Sequence, residues 1–382
     1  MTNREAGGLP AHSFARRVKY MILMLVAVLL VGVLALVGLL LAWSSGRLEP
    51  FRDENGRLLA GSISEKIFVD VNGVRQGMLI RSRDTANPVL LYLHGGMPEY
   101  FLAQRYPTGL EDHFTVVWWE RRGSGISYRP GTPKKDLTLE QFIADTREVA
   151  NYLRQRFGKE KIYLMGHSEG TFIGIQTAQR APELFYAYIG MAQMSHQLRS
   201  EKLAYEYMLA RFAEQGNRGM VGKLMAAPVT MDGGTPAAYL ALRDPAMHPL
   251  GIGTTHNMSS HITGVFLPSF TVRAYTLMEK VNLWRGKAQA GVSILWDDLL
   301  STDLSQLVTQ LELPVYFVHG RHDYTVSYVL AKEYLARLQA PVKGFYTFEQ
   351  SAHSPLFEEP EKMNRILLED VLAGTNDLAD AK

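Results

Sequence analysis

A serine between two glycines is the feature of this 382-residue sequence with the clearest chemical meaning. The segment GHSEG at 166–170 fits the pattern G-x-S-x-G and places Ser168 between the apolar run IYLM and a segment with helical spacing. A serine on a sharp strand-to-helix turn exposes its hydroxyl above the sheet, and only small flanking residues avoid the neighbouring backbone. Glycine-rich chains match this pattern by chance, but the strand–turn–helix context favours Ser168 as a nucleophile.

Two residues further along the chain could complete a Ser-His-Asp set in the order that such an elbow requires. Asp323 follows the apolar run PVYFVHG, and His353 follows GFYTFE, so each lies just past the end of a predicted strand. Catalytic groups of open α/β sheets gather at that edge. We predict that Asp323 orients His353, which takes the proton of Ser168 and returns it to the leaving group. A turn or N-cap role is the alternative for Asp323, and other histidines are alternative bases: His167, His319 and His322.

The segment HGGMP at 94–98 follows another apolar run, VLLYL. The loop after this strand supplies one donor of an oxyanion hole, and the residue after the serine supplies the other. We therefore expect the backbone N–H of Gly96 or Met97, together with that of Glu169, to face the developing negative oxygen. Donors of this kind each contribute about 3 kcal/mol in the transition state. The alternative is an ordinary tight turn.

Strand-like and helical segments alternate over most of the chain, which predicts an α/β fold with a mostly parallel sheet and helices on both faces. Strand-like runs give way to helical spacing at 195–307, which predicts a helical cap over the sheet edge. Nine of the sixteen methionines lie in 191–278. We expect most of them to form the cap's own core; the alternative is an adaptable apolar pocket above Ser168. The expected parts are an N-terminal tail at 1–19, a transmembrane anchor at 20–43, a linker at 44–62, the α/β core at 63–194 and 308–375, and the cap at 195–307.

The run at 21–42 has no charged residue and is long enough to cross a bilayer, which takes about 20 apolar residues. Tyr20 and Trp43 flank it as interfacial anchors do. Three basic residues lie between positions 16 and 19, which predicts a cytoplasmic N-terminus and a catalytic domain outside, in the periplasm or extracellular space. A buried core helix and a cleaved signal peptide are the alternatives, and the length of the run disfavours both.

Composition narrows the possible chemistry. The net charge is +2, from 40 basic and 38 acidic residues, which gives no reason to expect a nucleic-acid partner. The chain has no cysteine, which excludes disulfides, thiolate zinc sites and a cysteine nucleophile. No H-E-x-x-H, P-loop or dinucleotide fingerprint occurs, so we expect neither a metal nor an organic cofactor. The expected partners are the membrane and a small molecule or short peptide as substrate, and the oligomeric state is not predicted.

Five blocks together resemble the proline iminopeptidase-like branch of the α/β-hydrolases over about 65–375: HGGMP, WWERRGSGISY, GHSEGT, GRHDYTV and SAHSPLFEEPEK. The resemblance implies an α/β-hydrolase fold with a helical cap, a triad of Ser168, Asp323 and His353, and oxyanion donors at Gly96 and Glu169. It also implies release of an N-terminal residue, often proline, from peptides. The sequence departs from the family's pattern in having HGGMP for HGGPG, and Glu169 where tryptophan is common.

Iminopeptidases hold the free amine of the substrate with acidic residues of the cap, which makes four cap carboxylates candidates here: Glu201, Glu206, Glu214 and Glu279. We name Glu206 and Glu169 as expected substrate-binding residues. Glu169 either pairs with the substrate amine or is held by a nearby arginine such as Arg121 or Arg122. The expected function is a membrane-anchored serine hydrolase of aminopeptidase type, acting on peptides or small amides. The alternatives are a carboxylesterase or lipase-like enzyme and a non-catalytic binding domain.

Overall fold

An eight-stranded sheet forms the centre of the protein in the computed structural model, which describes residues 11–381 and the side chains from residue 16 onwards. The strands are β1 Ile63–Val71, β2 Val74–Ser82, β3 Val89–Leu93, β4 Thr115–Glu120, β5 Ile162–His167, β6 Phe185–Met191, β7 Val315–Gly320 and β8 Lys343–Phe348. Their spatial order is β1-β2-β4-β3-β5-β6-β7-β8. β2 pairs antiparallel with β1 and β4, and the remaining neighbours are parallel. The predicted α/β fold with a mostly parallel sheet is confirmed.

Helices connect the parallel strands and cover the sheet. The α-helices are α1 Ala11–Ala42, α2 Tyr100–Arg105, α3 Leu139–Phe157, α4 Glu169–Arg180, α5 Gln197–Glu214, α6 Arg218–Met225, α7 Ala237–Met247, α8 Leu267–Ser269, α9 Leu277–Ala290, α10 Trp296–Ser301, α11 Leu304–Leu307, α12 Tyr328–Arg337, α13 Pro355–Glu358 and α14 Pro360–Ile366. Two π-helical turns lie at Ile262–Phe266 and Leu367–Val371.

The apolar runs form strands because both faces of the sheet are covered. All five residues of β3 are buried: Leu91 and Leu93 pack into one hydrophobic cluster, whereas Leu90 and Tyr92 pack into another. Alternate side chains of a strand point to opposite faces, so a strand covered twice is apolar throughout. The predicted hairpin is also present: β1 and β2 meet at Asn72-Gly73, where both residues have positive φ (47° and 75°).

Helices α5–α11 lie between β6 and β7 and cover the sheet edge where Ser168 lies. They enclose a hydrophobic cluster of their own, which includes Tyr205, Met208, Tyr239 and Met247. Met194 is the one methionine of the nine in 191–278 that lines the cavity above Ser168. Several of the cap methionines, such as Met208 and Met247, are therefore core residues and do not line a substrate pocket. Met225, Met231 and Met278 are exposed.

Helix α1 contains the apolar run and is long and apolar enough to span a membrane. None of the described residues buries its apolar part. Of the tail expected at 1–19, the part from residue 11 belongs to α1, and residues 1–10 lie outside the described residues. The expected linker at 44–62 contains no helix and no strand of the sheet, and part of it contacts the domain. Ser45 forms a β-bridge with Thr276, and Leu48 packs against a core cluster. Leu48 is partly buried there, whereas Leu58 is 66% exposed, so the segment contacts the domain over only part of its length.

Candidate active site

Ser168 occupies the sharp turn that the sequence predicts, between the end of β5 and the start of α4. Its φ and ψ are 54° and −121°, a strained conformation for a residue with a side chain. The backbone N–H of Ser168 donates to the carbonyl of Met191, 3.1 Å away. A Cβ at Gly170 would collide with the carbonyl oxygen of Leu93, so the second glycine lets α4 approach β3. The motif therefore has the backbone geometry of a nucleophile elbow.

Asp323 and His353 meet beyond the ends of β7 and β8. His353 Nδ1 lies 2.9 Å from Asp323 Oδ2, and both side chains are buried. The other oxygen, Oδ1, accepts the backbone N–H of Val326 at 2.9 Å. Burial alone would raise the pKa of Asp323, but the facing imidazoles of His353 and His319 hold this pKa well below its ordinary value. An ionised carboxylate only accepts hydrogen bonds, so Nδ1 of His353 carries the hydrogen and Nε2 is left as an acceptor.

Burial lowers the pKa of His353, and the charge of Asp323 compensates only in part. The imidazole is therefore neutral at neutral pH, which a general base requires. Of the competing histidines, His319 lies behind Asp323, with Nε2 3.2 Å from Oδ2, and is completely buried. His322 stacks on His256 at a ring distance of 3.9 Å. Among these imidazoles, those of His353 and His167 line the cavity that holds Ser168.

That cavity has a volume of about 480 Å³ and lies between the sheet edge and the cap. Its wall is partly apolar and includes Phe101, Leu102, Met194, Leu240, Val265 and Trp296. Charged side chains also line it: Glu99, Glu169, Arg243, Asp244 and Lys287. The volume suits a small or medium-sized substrate, and the mixed wall suits one with apolar and charged parts. Within 11–381, no group of three or more histidine or carboxylate side chains is arranged to hold a metal ion.

The loop after β3 lies against the elbow. A Cβ at Gly95 would be 3.1 Å from Cβ of Ser168, which shows how closely the loop backbone approaches the serine. The backbone N–H groups of Gly96, Met97 and Glu169 donate to no acceptor among the described residues. Glu169 is the first residue of α4, and the N–H groups of a first helical turn have no partner within the helix. An oxyanion hole requires unpaired donors near the nucleophile, and these N–H groups are available for that role.

Glu169 is held by Arg121, one of the two arginines that the sequence offered. Arg121 Nη2 lies 2.8 Å from Glu169 Oε1 and also donates to the carbonyl of Gly95 at 2.8 Å. Arg122 instead pairs with Asp145 at 2.9 Å. The second oxygen of Glu169, Oε2, is buried without a hydrogen-bond partner among the described residues. Glu169 thus connects α4 to the loop after β3 and keeps one carboxylate oxygen unused.

A second carboxylate–imidazole pair lies beside the first, and the sequence did not predict it. Glu99 Oε1 is 2.7 Å from His167 Nδ1, and Oε2 accepts the hydroxyl of Tyr92 at 2.6 Å. The other nitrogen of His167 donates to the backbone carbonyl of His353 at 2.8 Å. Burial would lower the pKa of His167, but the charge of Glu99 outweighs it and raises the pKa. A protonated His167 donates from both nitrogens, so this pair fixes the backbone of His353.

The four cap carboxylates named from the sequence do not line the cavity within the described part of the chain. Glu201 is buried and paired with Arg243 at 2.8 Å. Glu206, expected to bind substrate, is 51% exposed on α5 and pairs with Lys202 one turn earlier. Glu214 pairs with Arg211, and Glu279 caps α9 and binds Lys66. Glu206 therefore does not line the cavity that holds Ser168, and its expected role in substrate binding stays a prediction.

Asp244 is the cap carboxylate that lines the cavity. Its side chain is 56% exposed, and Arg243, its nearest cation, lies 3.6 Å away. Burial would raise the pKa of Asp244, but nearby positive groups, Arg243 first, lower it, so the carboxylate is charged. Lys287 also lines the cavity; its ammonium donates to the carbonyl of Val292 at 3.2 Å, and burial lowers its pKa. No local sequence pattern distinguishes Asp244, which is followed directly by Pro245 inside α7.

Comparison with known proteins supports the α/β-hydrolase fold. The model of the α/β hydrolase fold family matches residues 88–360. The "Probable aminopeptidase YbaC" of Bacillus subtilis (strain 168) is 31% identical over 298 residues, covering 76% of this chain and 91% of that protein. A proline iminopeptidase of Heyndrickxia coagulans is 22% identical over 309 residues, covering 77% and 94%. The crystal structure of the Mycobacterium smegmatis proline iminopeptidase superposes with a TM-score of 0.57 at 16% identity, covering 79% of this chain and 96% of that one. The chain belongs to the α/β-hydrolase fold family, in its proline iminopeptidase-like branch, and is a hydrolase.

Proposed function

We propose that this protein is a membrane-anchored serine hydrolase that forms an acyl-enzyme on Ser168. The observation that supports this most strongly is the buried pair of Asp323 Oδ2 and His353 Nδ1, 2.9 Å apart, because the imidazole of His353 lines the cavity that also holds the strained Ser168. A non-catalytic domain has no use for these three groups together, and the charge of Asp323 is costly to bury unless it is hydrogen-bonded.

In the proposed reaction, Nε2 of His353 takes the hydroxyl proton of Ser168 as the oxygen attacks the substrate carbonyl. Asp323 stabilises the imidazolium that forms. The carbonyl oxygen becomes negative and is bound by the backbone N–H groups of Glu169 and of Gly96 or Met97. The C–N or C–O bond then breaks, and His353 gives its proton to the leaving group. In the second half of the reaction, His353 deprotonates a water molecule, which attacks the acyl-enzyme. The acid is then released, and Ser168 regains its proton from His353.

We propose peptides or small amides with a free amine as substrates. Two relatives named as aminopeptidases support this class, since one is 31% identical and the other 22% identical. The cavity also offers suitable chemistry. Asp244 is charged and exposed toward it, and Glu169 has one oxygen without a partner. An ammonium group bound by Asp244 would hold the N-terminal residue of a peptide in the cavity.

The second candidate is a carboxylesterase or lipase-like activity on apolar esters. The apolar part of the wall favours it, above all Phe101, Leu102, Leu240 and Trp296. Ester and amide hydrolysis use the same acyl-enzyme chemistry, so the substrate's amine, and not the triad, separates the two candidates.

Kinetics on matched substrates test the choice. Aminoacyl-naphthylamides with free and with blocked amines are compared with short p-nitrophenyl esters, using wild type, Asp244→Asn and a control, Asp232→Asn, which changes an exposed cap carboxylate outside the cavity. We expect a preference for the free amine, and in Asp244→Asn an increase in KM of about five- to ten-fold for free-amine substrates only. The control should match wild type. Equal activity on free and blocked amines would reject the exopeptidase and leave the esterase.

The proposal places the N-terminus in the cytoplasm and the catalytic domain outside, because basic residues precede the apolar run. Helix α1 is long and apolar enough to be an anchor, and a signal sequence would pass the same test. A C-terminal reporter that is active only outside the cytoplasm should be active and sediment with membranes. A dark reporter would reverse the orientation, and an active but soluble, shortened product would identify a cleaved signal.

A further inference from the structure

A second cavity, of about 590 Å³, lies beside the C-terminal end of α1. Arg47, Arg81, Arg105 and Arg273 line it together with Trp43, and we call it the arginine pocket. It differs from the candidate active site in composition, because Glu49 is the one acidic residue in its wall.

The charges of the arginine pocket are only partly neutralised. Glu49 pairs with Arg273 at 3.3 Å, and Arg81 lies 3.6 Å from Glu111. Arg47 and Arg105 are exposed and have no acidic partner among the described residues. Two unpaired guanidinium groups on the rim of a concave surface favour an anion, and guanidinium groups are well matched to phosphate.

Exposed apolar side chains adjoin this positive surface. Ile262, Phe266 and Leu267, in the π-helical turn and α8, are exposed by 63%, 38% and 54%. Leu267 also lines the arginine pocket. Large apolar side chains grouped on a surface mark a site of contact with another apolar phase or protein. Basic and apolar groups side by side are typical of surfaces that lie at the boundary between lipid headgroups and acyl chains.

Hydrogen bonds fix this surface to the end of α1. The ammonium of Lys280 donates to the carbonyl of Trp43 at 2.6 Å and to the hydroxyl of Ser44 at 2.9 Å. The N–H of Gly46 donates to the carbonyl of Arg273 at 2.9 Å. The run at 21–42 forms about 33 Å of helix, close to the ~30 Å hydrocarbon thickness of a bilayer. Trp43 therefore lies at headgroup depth when α1 spans the membrane, and the arginine pocket lies there with it.

We propose that the arginine pocket binds the phosphate of an anionic phospholipid of the anchoring membrane, while Phe266 and Leu267 insert between the headgroups. This inference rests on the proposed anchoring by α1, but not on which side of the membrane the domain occupies. It means that the domain lies directly on the bilayer. Segment 261–267 then separates lipid from the candidate active site, because His261 and Val265 line the catalytic cavity.

The first test locates Leu267 relative to lipid. The chain has no native cysteine, so Leu267→Cys and a control, Val329→Cys, can each carry one environment-sensitive fluorophore; the two positions are exposed by 54% and 55%. The full-length protein is reconstituted in vesicles containing a doxyl-labelled lipid as quencher. We expect quenching at position 267 and none at position 329. Protein that floats with the vesicles but is quenched at neither position overturns the membrane-contact proposal alone; protein that does not float overturns the anchor and this proposal together.

The second test concerns the headgroup. Full-length protein in mixed phosphatidylglycerol–phosphatidylcholine micelles is analysed for bound lipid by native mass spectrometry. We expect phosphatidylglycerol to be preferred, and Arg47→Gln/Arg105→Gln to reduce that preference by about five-fold or more. The control Arg218→Gln removes an exposed cap arginine and should have no effect. An unchanged preference in the double variant, or release of the lipid by millimolar inorganic phosphate, would overturn the proposal; the latter would assign the pocket to a free anion.

Discussion

Replacing Asp323 with asparagine tests how the imidazole of His353 is held. In the native arrangement Oδ1 accepts the backbone N–H of Val326, and Oδ2 faces Nδ1 of His353 and Nε2 of His319. Asparagine has only one oxygen, and the fixed N–H of Val326 requires that oxygen on its side. The amide NH2 group then faces Nδ1 of His353, which must become the acceptor. The hydrogen moves to Nε2, the nitrogen that has to receive the proton of Ser168.

The size of the effect follows from the lost charge and the wrong tautomer. A carboxylate and an imidazolium whose charges are about 4 Å apart attract each other by about 4 kcal/mol at an effective dielectric constant of about 20. That energy corresponds to a rate factor of about 10³. The unfavourable tautomer adds to it, so we expect kcat to fall by about 10³- to 10⁴-fold. KM should change little, because Asp323 does not line the cavity among the described residues.

The assay is steady-state hydrolysis of a p-nitrophenyl ester between pH 5 and 9, with urea unfolding to verify that the variant is folded. Asp112→Asn, which removes a 51% exposed carboxylate paired with Arg83, serves as the control and should match wild type. A folded Asp323→Asn enzyme that retains kcat within ten-fold of wild type would refute the role of Asp323 as the group that orients His353.

Three further predictions concern the neighbouring groups. Burial lowers the pKa of His353, and only the neutral imidazole accepts a proton. We therefore expect kcat/KM to be retained above that pKa and lost as the pH falls through it. A pH profile whose acid limb lies above the ordinary histidine value of about 6.5 would contradict this. Glu99→Gln removes the carboxylate that keeps His167 protonated and bonded to the carbonyl of His353, so kcat should fall by about ten- to one-hundred-fold. An unchanged kcat would exclude the positioning role. Glu201→Gln leaves Arg243 without its buried carboxylate partner and should lower the free energy of unfolding in urea by about 3–5 kcal/mol, whereas replacing both residues with methionine should recover much of the loss. Equal losses in the two variants would argue against the pair.

The sequence was sufficient to predict those parts of the fold and of the site that depend on short segments of the chain. The run VLLYL became β3 because a strand covered on both faces is apolar throughout, and GHSEG became the elbow because its two glycines allow a close backbone approach that a Cβ would block. Asp323 and His353 could be chosen because each follows a strand, and parallel strands end at one edge of the sheet. Their 2.9 Å contact follows from the parallel pairing of β7 with β8, which brings the residues after the two strands together.

Other features depend on how helices and loops pack, which short polar segments do not specify. Glu206 and Asp244 both lie on cap helices, and only packing against the core turns Asp244 toward the cavity and Glu206 toward solvent. The Glu99–His167 pair joins positions 68 residues apart without a recurrent spacing. The contact between the expected linker and the domain was not predicted for a similar reason: the polar composition of the segment gave no sign that Leu48 would be partly buried against a core cluster.

Covalent labelling of the nucleophile tests the central claim most directly. The full-length protein is treated with a fluorophosphonate, digested with trypsin and analysed by mass spectrometry. Peptide 162–180 contains Ser168 and no other serine, so the modified residue can be assigned without ambiguity. We predict one adduct on this peptide in the wild type and none anywhere in Ser168→Ala. An adduct on a different serine, or labelling that persists in Ser168→Ala, would contradict the assignment of Ser168 as the nucleophile.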